Sequence, residues 1–251
     1  YGYETQPLDA NRKCIDDWRS IGLGLFGVAD ALVAMKLKYG SQQGNFFIAA
    51  AMRIMFIEAA RTSSRLAREK GTFGRYEWEK TQKSPMLDLL QKEAPDVYKN
   101  IKESGLRNGT LLSIAPTGTI SLLMGTFSGG CEPLYKISYM RTTHKMEGEK
   151  KSFKVYAHSI KDLLDYHHLS YEMDDTEIKR RFPWIIESHD VPYLNRIKLQ
   201  AAMQKYVDNS ISSTVNLRHD ASPEDIKNIY ITAWQSHCKG ITVFRDGCKR
   251  G

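Results

Sequence analysis

The segment at residues 105–141 constrains the fold most, because it joins a short apolar run to a glycine-containing turn. Leu111, Leu112 and Ile114 form a run that favours a strand buried on both faces. A proline, a glycine and three hydroxyl side chains follow within residues 115–121, and an apolar helical segment comes next. The pattern predicts a strand that opens into a turn at the start of a helix.

Such a turn can bind an anion, since the first backbone N–H groups of a helix lack carbonyl partners. The pattern alone leaves two interpretations open, of which the first is a phosphate site with backbone amides and the three hydroxyls as donors and with the glycine leaving room for the phosphate. The site consists of Ala115, Pro116, Thr117, Gly118, Thr119, Ile120 and Ser121. The alternative is an ordinary strand-to-helix turn that Thr117 caps.

Four separated phrases resemble the large (alpha) subunit of ribonucleotide reductase, in the form found in adenosylcobalamin-dependent (class II) enzymes. They occur in family order, and the resemblance covers essentially the whole chain. The phrases are WRSIGLGLFGVAD (18–30), SIAPTGTISLLMG with SGGCEP (113–125 and 128–133), LQAAMQ with DNSISSTVNL (199–204 and 208–217), and CKGITVFRDG (238–247). Ser213 departs from the pattern, because the family usually carries lysine there, so no lysine contact is carried over.

Helical and strand patterns alternate along the chain, which predicts an α/β fold with parallel strands covered by helices. The resemblance implies more, namely that residues 1–251 are the C-terminal half of a ten-stranded α/β barrel with long outer helices. Helices are expected at 8–20, 22–37, 41–71, 84–91, 95–105, 155–167, 174–182, 192–206 and 222–237, short strands at 215–217 and 241–244, and a solvated loop at 141–154.

The resemblance implies an activity: reduction of ribonucleotides to 2′-deoxyribonucleotides for DNA synthesis, by a thiyl radical that removes hydrogen from C3′ of the ribose. It implies adenosylcobalamin as cofactor. In the family an Asn-x-Cys-x-Glu phrase carries the radical cysteine, and this sequence contains none. No catalytic residue is therefore assigned. The phrase is expected upstream of Tyr1, in a longer chain or in the partner product of a split gene.

The implied partners belong to the whole enzyme. They are a ribonucleotide substrate, nucleotide effectors, a thioredoxin-like reductant, the rest of the reductase chain or its N-terminal half, and a second copy in a homodimer. Two alternatives remain open. One is the iron-dependent class I large subunit, and the other is a non-catalytic split-gene half-barrel that binds nucleotide and complements a partner chain.

Composition narrows the class of protein further. The formal net charge is +7, but the basic residues are scattered, so no nucleic-acid surface is indicated. The sequence has no uninterrupted apolar run of about 18 residues, so no membrane span is predicted and a cytoplasmic protein is expected. The histidines lack ligand spacing, so no protein-bound metal is predicted. Widely spaced cysteines favour reduced, mostly buried thiols over zinc or disulfides; they are Cys14, Cys131, Cys238 and Cys248.

Three charged residues carry further expectations. Arg107 is expected to pair with a carboxylate of the barrel rim, with phosphate as the alternative. Arg245 and Asp246 are adjacent in an extended segment, so their side chains should contact different neighbours.

Overall fold

The computed structural model of the protein describes residues 6–144 and 150–248. Its helices in these ranges are α1 (Asp9–Trp18), α2 (Val28–Ala34), α3 (Gln42–Lys70), α4 (Trp78–Thr81), α5 (Pro85–Glu93), α6 (Pro95–Ser104), α7 (Gly118–Leu123), α8 (His158–Tyr166), α9 (Asp175–Arg181), α10 (Tyr193–Gln204) and α11 (Pro223–Gln235). The strands are β1 (Ser138–His144), β2 (Lys150–Tyr156), β3 (Thr214–Leu217) and β4 (Thr242–Arg245). None of these helices is long and apolar enough to cross a membrane.

The chain divides into two compact units. The first comprises Tyr1–Gly24, Ala49–Ile114 and Met203–Ser210, and the second comprises Leu25–Ile48, Ala115–Ala202 and Ile211–Gly251.

Most helices lie where the sequence predicts them, because local signals fix their ends. The hydroxyl of Ser41 accepts the amide of Gly44 at 3.1 Å at the start of α3, as an N-cap does. Ser84 caps α5 in the same way. Ser222 and Asp225 form a reciprocal capping box at α11. These contacts confirm the predicted helix starts.

The helix predicted at 22–37 is wrong in its first part, since only Val28–Ala34 is helical. Leu23 instead forms an isolated parallel bridge with Leu112. The glycines explain the difference. A Cβ on Gly24 would lie 2.1 Å from the carbonyl oxygen of Ser113, and one on Gly22 would lie 2.3 Å from the Ser113 hydroxyl. Both glycines serve close approach of two extended segments, and the apolar run at 111–114 forms this bridge rather than a regular strand.

A second difference is the hairpin at β1 and β2, which pair antiparallel with Ser138 opposite Tyr156. The sequence predicts a solvated loop there because lysines dominate the segment. Long-range pairing decides the structure instead, and several residues of both strands are aromatic or β-branched, which favours extended chain. Residues 145–149, which also belong to the predicted loop, lie outside the described residues.

β3 and β4 pair in parallel, with Val215 opposite Val243, and α11 connects them. Parallel neighbours need such a crossover connection. Ile197, Val215, Ile229 and Ala233 form the core beneath this pair. The predicted α/β layering is confirmed for this part of the second unit. No closed barrel occurs within residues 6–144 and 150–248. Within α10, Ile197 is fully buried, whereas Leu194 is exposed.

In the first unit, Glu93 at the end of α5 joins three elements. Its carboxylate accepts the Arg53 Nε and Lys205 Nζ groups, each at 2.7 Å, and the Tyr206 hydroxyl at 3.2 Å. Burial acts to raise the pKa of Glu93, but the hydrogen bonds from Lys205, Arg53 and Tyr206 outweigh it and hold the pKa below its usual value of 4.5. The ionised carboxylate therefore stabilises this unit.

We expect Glu93→Gln to destabilise the protein at pH 7 by about 1 kcal/mol, because the pair is partly exposed to solvent. A lowered folded-state pKa gives stabilisation that is present above pH 4.5 and is lost as the pH falls through the folded-state value. The variant should therefore show a flatter fall of Tm in acid, measured by thermal unfolding from pH 7 to pH 3.

The matched control is Glu77→Gln, which removes an exposed ion pair with Lys80 and should leave Tm nearly unchanged at every pH. A Glu93→Gln curve parallel to the wild-type curve below pH 4.5 would contradict the role assigned to Glu93.

Candidate functional site

The turn at residues 115–121 lies in the second unit and starts helix α7. Thr117 precedes the helix in the left-handed conformation, with φ 53° and ψ 26°. This conformation is uncommon for a β-branched residue, so surrounding contacts must impose it. Gly118 follows as the first helical residue, and a Cβ placed there would meet nothing within 4 Å. A side chain at this position would therefore point into open space.

Two of the three hydroxyls predicted as phosphate donors have other partners. Thr117 Oγ1 donates to the Pro116 carbonyl and accepts the Gly130 amide, each at 2.8 Å. Ser121 is buried, and its Oγ donates to the Thr117 carbonyl at 2.7 Å. A hydroxyl has one hydrogen to donate, so both side chains brace the turn. Thr119 is exposed, so among the three predicted donors its hydroxyl is the one that faces solvent.

The backbone of the turn offers further donors. Within the described ranges, no backbone carbonyl accepts the amides of Gly118, Thr119 and Ile120, whereas the Ser121 amide bonds to the Thr117 carbonyl at 2.8 Å. Unpaired amides of this kind at a helix start suit an anion. The turn thus combines exposed donors with braced side chains.

The following loop, residues 128–133, packs against the turn and hydrogen bonds to it. A Cβ on Gly129 would lie 2.3 Å from the Pro116 carbonyl oxygen, so only glycine fits. Gly130 has a positive φ of 47° and directs its amide at Thr117. Close packing therefore explains the glycine at position 129, and the backbone conformation explains the one at position 130.

Asp30 fixes the start of this loop. Its Oδ2 atom accepts the Ser128 amide at 2.8 Å and the Ser128 hydroxyl at 2.6 Å, and its Oδ1 atom accepts the Ser159 hydroxyl at 2.7 Å. The Gly27 amide donates to the Ser128 carbonyl at 3.0 Å. The sequence phrase at 18–30 contains this aspartate, but pattern alone gives it no role.

Arg196 is the residue that sequence reasoning missed. Its side chain, on α10, is only 2% exposed and contacts Tyr39, the Cys131 carbonyl and Glu132. The Glu132 Oε2 atom lies 2.6 Å from Arg196 Nη2, and Oε1 accepts the Thr214 amide at 2.9 Å. A lone arginine in a predicted amphipathic helix gives no sequence signal of burial, because helical spacing does not reveal its partners.

The charges of this cluster are set by burial. Burial lowers the pKa of Arg196 to about 9, which still leaves the guanidinium protonated at pH 7. Burial raises the pKa of Glu132 to about 7, although the Thr214 amide favours the ionised form. The adjacent guanidinium also favours the carboxylate, so the two groups form a charge-assisted pair.

Cys131 lies within the same cluster and is fully buried. Its thiol contacts the Ser212 carbonyl at 3.4 Å, and burial raises its pKa far above the usual range. A buried neutral thiol is a structural group. Ser213 is also buried. All four cysteines are free, but Cys14 and Cys248 are exposed, so the expectation of mostly buried thiols is wrong for these two.

Arg107 differs from both expectations. Its Nη1 atom donates to the carbonyls of Lys70 and Gly71, at 2.7 and 2.9 Å, and so closes the C-terminal end of α3. The expectation for the other pair is confirmed, since Asp246 contacts His189 and Arg245 contacts the Ala221 carbonyl.

Helices, parallel pairing and an exposed helix start after a glycine-containing turn define an α/β protein. Residues 2–244 match the family described as ribonucleotide reductase, barrel domain. The chain therefore belongs to this family, as its sequence phrases predict.

Named relatives agree with this result. The chain is 30% identical to the vitamin B12-dependent ribonucleoside-diphosphate reductase of Thermoplasma acidophilum, over 97% of the chain and 30% of the relative. It is 31% identical to the enzyme of the same name from Mycobacterium tuberculosis, over 93% of the chain and 32% of the relative. It is 29% identical to the ribonucleoside-diphosphate reductase subunit alpha of Helicobacter pylori, over 91% of the chain and 28% of the relative. The chain spans about a third of the length of these relatives.

Thr117→Val tests the bracing role of the hydroxyl. The variant loses both hydrogen bonds of Oγ1 while keeping the shape of the side chain, and we expect it to lower the free energy of unfolding by about 1–2 kcal/mol. Thr117→Ser is the matched control, because it retains the hydroxyl. Chemical denaturation measures both, and equal stabilities for the two variants would refute the bracing role.

Proposed function

We propose that this chain is the substrate-binding part of an adenosylcobalamin-dependent ribonucleotide reductase, and that residues 115–121 bind the phosphates of the ribonucleotide. The observation that carries the proposal is the exposed start of α7, where a Cβ on Gly118 would meet nothing within 4 Å and where, in the described ranges, the amides of residues 118–120 have no backbone carbonyl partner. The family of the chain supports the reaction class. The names of the relatives from Thermoplasma and Mycobacterium support the diphosphate as substrate and vitamin B12 as cofactor.

The residues of this chain position the substrate. The amides of residues 118–120 and the Thr119 hydroxyl donate to the phosphate, while Thr117 and Ser121 keep the turn in shape. Holding the phosphate fixes the ribose relative to a thiyl radical on a cysteine in the rest of the reductase. Fixed orientation of reacting groups can contribute about 7–11 kcal/mol in favourable cases.

The exposed face of α7 suits the cofactor chemically. Leu122, Leu123 and Met124 are more than half exposed and lie directly after the turn. A corrin ring presents a large, mainly apolar surface, and these three side chains are the ones we propose to contact it. When bound, adenosylcobalamin supplies the radical that starts the reaction.

The remaining features of the whole enzyme stay predictions that follow from the family. They are the ten-stranded barrel, the nucleotide effectors, the thioredoxin-like reductant, the homodimer and the cytoplasmic location. The parallel pairing of β3 with β4 and of Leu23 with Leu112 supports a barrel of parallel strands.

Gly118→Val in the full-length reductase tests the phosphate site. Because a Cβ there would meet nothing within 4 Å, the variant should keep the Tm of the wild type. It should raise the substrate KM about tenfold, since the branched side chain occupies the space of the phosphate; this corresponds to about 1.4 kcal/mol of binding free energy.

The control is Gly129→Val, whose Cβ would lie 2.3 Å from the Pro116 carbonyl oxygen and should lower Tm. Unchanged steady-state kinetics in a folded Gly118→Val enzyme would remove the assignment.

The cofactor requirement separates the proposal from the iron-dependent class. The purified full-length enzyme should reduce ribonucleotides only when adenosylcobalamin is added, and without a separate radical-generating subunit. Activity that requires such a subunit and ignores adenosylcobalamin would assign the chain to the iron-dependent class instead.

A further inference from the structure

We propose that Glu132 and Arg196 act as positioning residues for substrate binding, because together they hold the turn at 115–121 in its binding shape. This inference rests on the proposed phosphate site, and it assigns a role to two residues that do not belong to the turn.

The first step is the fixed position of Arg196. Its guanidinium is buried, so every donor needs a partner to offset the loss of water. Nε donates to the Thr214 carbonyl at 3.3 Å, Nη1 to the Cys131 carbonyl and the Tyr39 hydroxyl, and Nη2 to Glu132. The Tyr39 hydroxyl itself donates to the Cys131 carbonyl at 2.5 Å. The Arg196 side chain thus fixes the backbone of the loop at Cys131 by hydrogen bonding.

The second step is the double contact of Glu132. One carboxylate oxygen accepts Arg196 Nη2 at 2.6 Å, and the other accepts the Thr214 amide at 2.9 Å at the start of β3. Glu132 therefore ties the loop to a strand as well as to α10. Replacing the carboxylate by an amide weakens both contacts, since charge-assisted hydrogen bonds are about twice as strong as neutral ones.

The third step leads from this anchor to the turn. Gly130 lies two residues before Glu132, and its amide donates to Thr117 Oγ1 at 2.8 Å. Gly129 packs against the Pro116 carbonyl without room for a Cβ atom. Thr117 holds a left-handed conformation, and these contacts maintain it through a hydrogen bond and close packing. If the loop moves, the turn loses the contacts that keep Thr117 in place.

The matched comparison is Glu93, which also pairs with an arginine at 2.7 Å but belongs to the first unit, whereas the turn belongs to the second. Its loss removes a similar ion pair without touching the residues that connect Glu132 to Thr117. A general loss of stability should therefore appear in both variants, and a positioning effect only in one.

The experiment uses the full-length reductase with Glu132→Gln or Glu93→Gln, and it has two readouts. Hydrogen exchange reports on the Ser121 and Gly130 amides, whose bonds to Thr117 define the turn. Steady-state kinetics separate KM for the ribonucleotide from kcat. For Glu132→Gln we expect exchange at these amides and KM to rise about tenfold each, with kcat within about twofold of wild type. For Glu93→Gln neither should change.

Unchanged exchange at Ser121 and Gly130 in Glu132→Gln, or an equal rise in both variants, would overturn the inference. Faster exchange confined to Glu132→Gln with an unchanged KM would uphold the positioning of the turn and refute its proposed phosphate binding. If Glu132→Gln does not fold, Arg196→Lys replaces it. That variant keeps the charge but loses the branched donor pattern, and the same two readouts apply.

Discussion

The buried guanidinium of Arg196 is the constraint on which the second unit depends most directly. A charge with 2% exposure is tolerated only when its donors are satisfied, and here a tyrosine, a glutamate and two backbone carbonyls satisfy them. Satisfying one side chain therefore fixes α10, the start of β3 and the loop at 128–133 together. The order of the loop follows from the cost of burying a charge.

Close backbone approach is the second device, and glycine makes it possible. At Gly129 the loop meets the Pro116 carbonyl, and at Gly24 an extended segment meets the Ser113 carbonyl within the first unit. Neither contact leaves room for a side chain. Gly118 is different, because a Cβ placed there would meet nothing within 4 Å, and this open space is where we propose that the phosphate binds. Sequence alone shows only that all three are glycines.

Glu93 and Glu132 each pair with an arginine, but the two pairs differ in how deeply the arginine is buried. Glu93 joins elements of the first unit through partly exposed partners, so its effect on stability depends on pH and is screened by solvent. Glu132 pairs with a buried partner and reaches the turn through only two intervening residues. A rigid support behind an exposed turn is what substrate positioning requires, since a binding group that moves loses the entropic advantage of orientation.

The sequence by itself determined the family, the long helices and their starts, because capping residues such as Ser41, Ser84 and Ser222 act on amides within three residues of themselves. It also determined where the candidate phosphate turn lies. Only the tertiary structure decided that Leu23 pairs with Leu112, that β1 and β2 form a hairpin, that Thr117 and Ser121 brace the turn, and that Arg196 is buried beside Glu132. The bridge at Leu23 and the burial of Arg196 depend on partners distant along the chain, and a local pattern carries no information about which distant groups will satisfy a buried charge or an extended backbone.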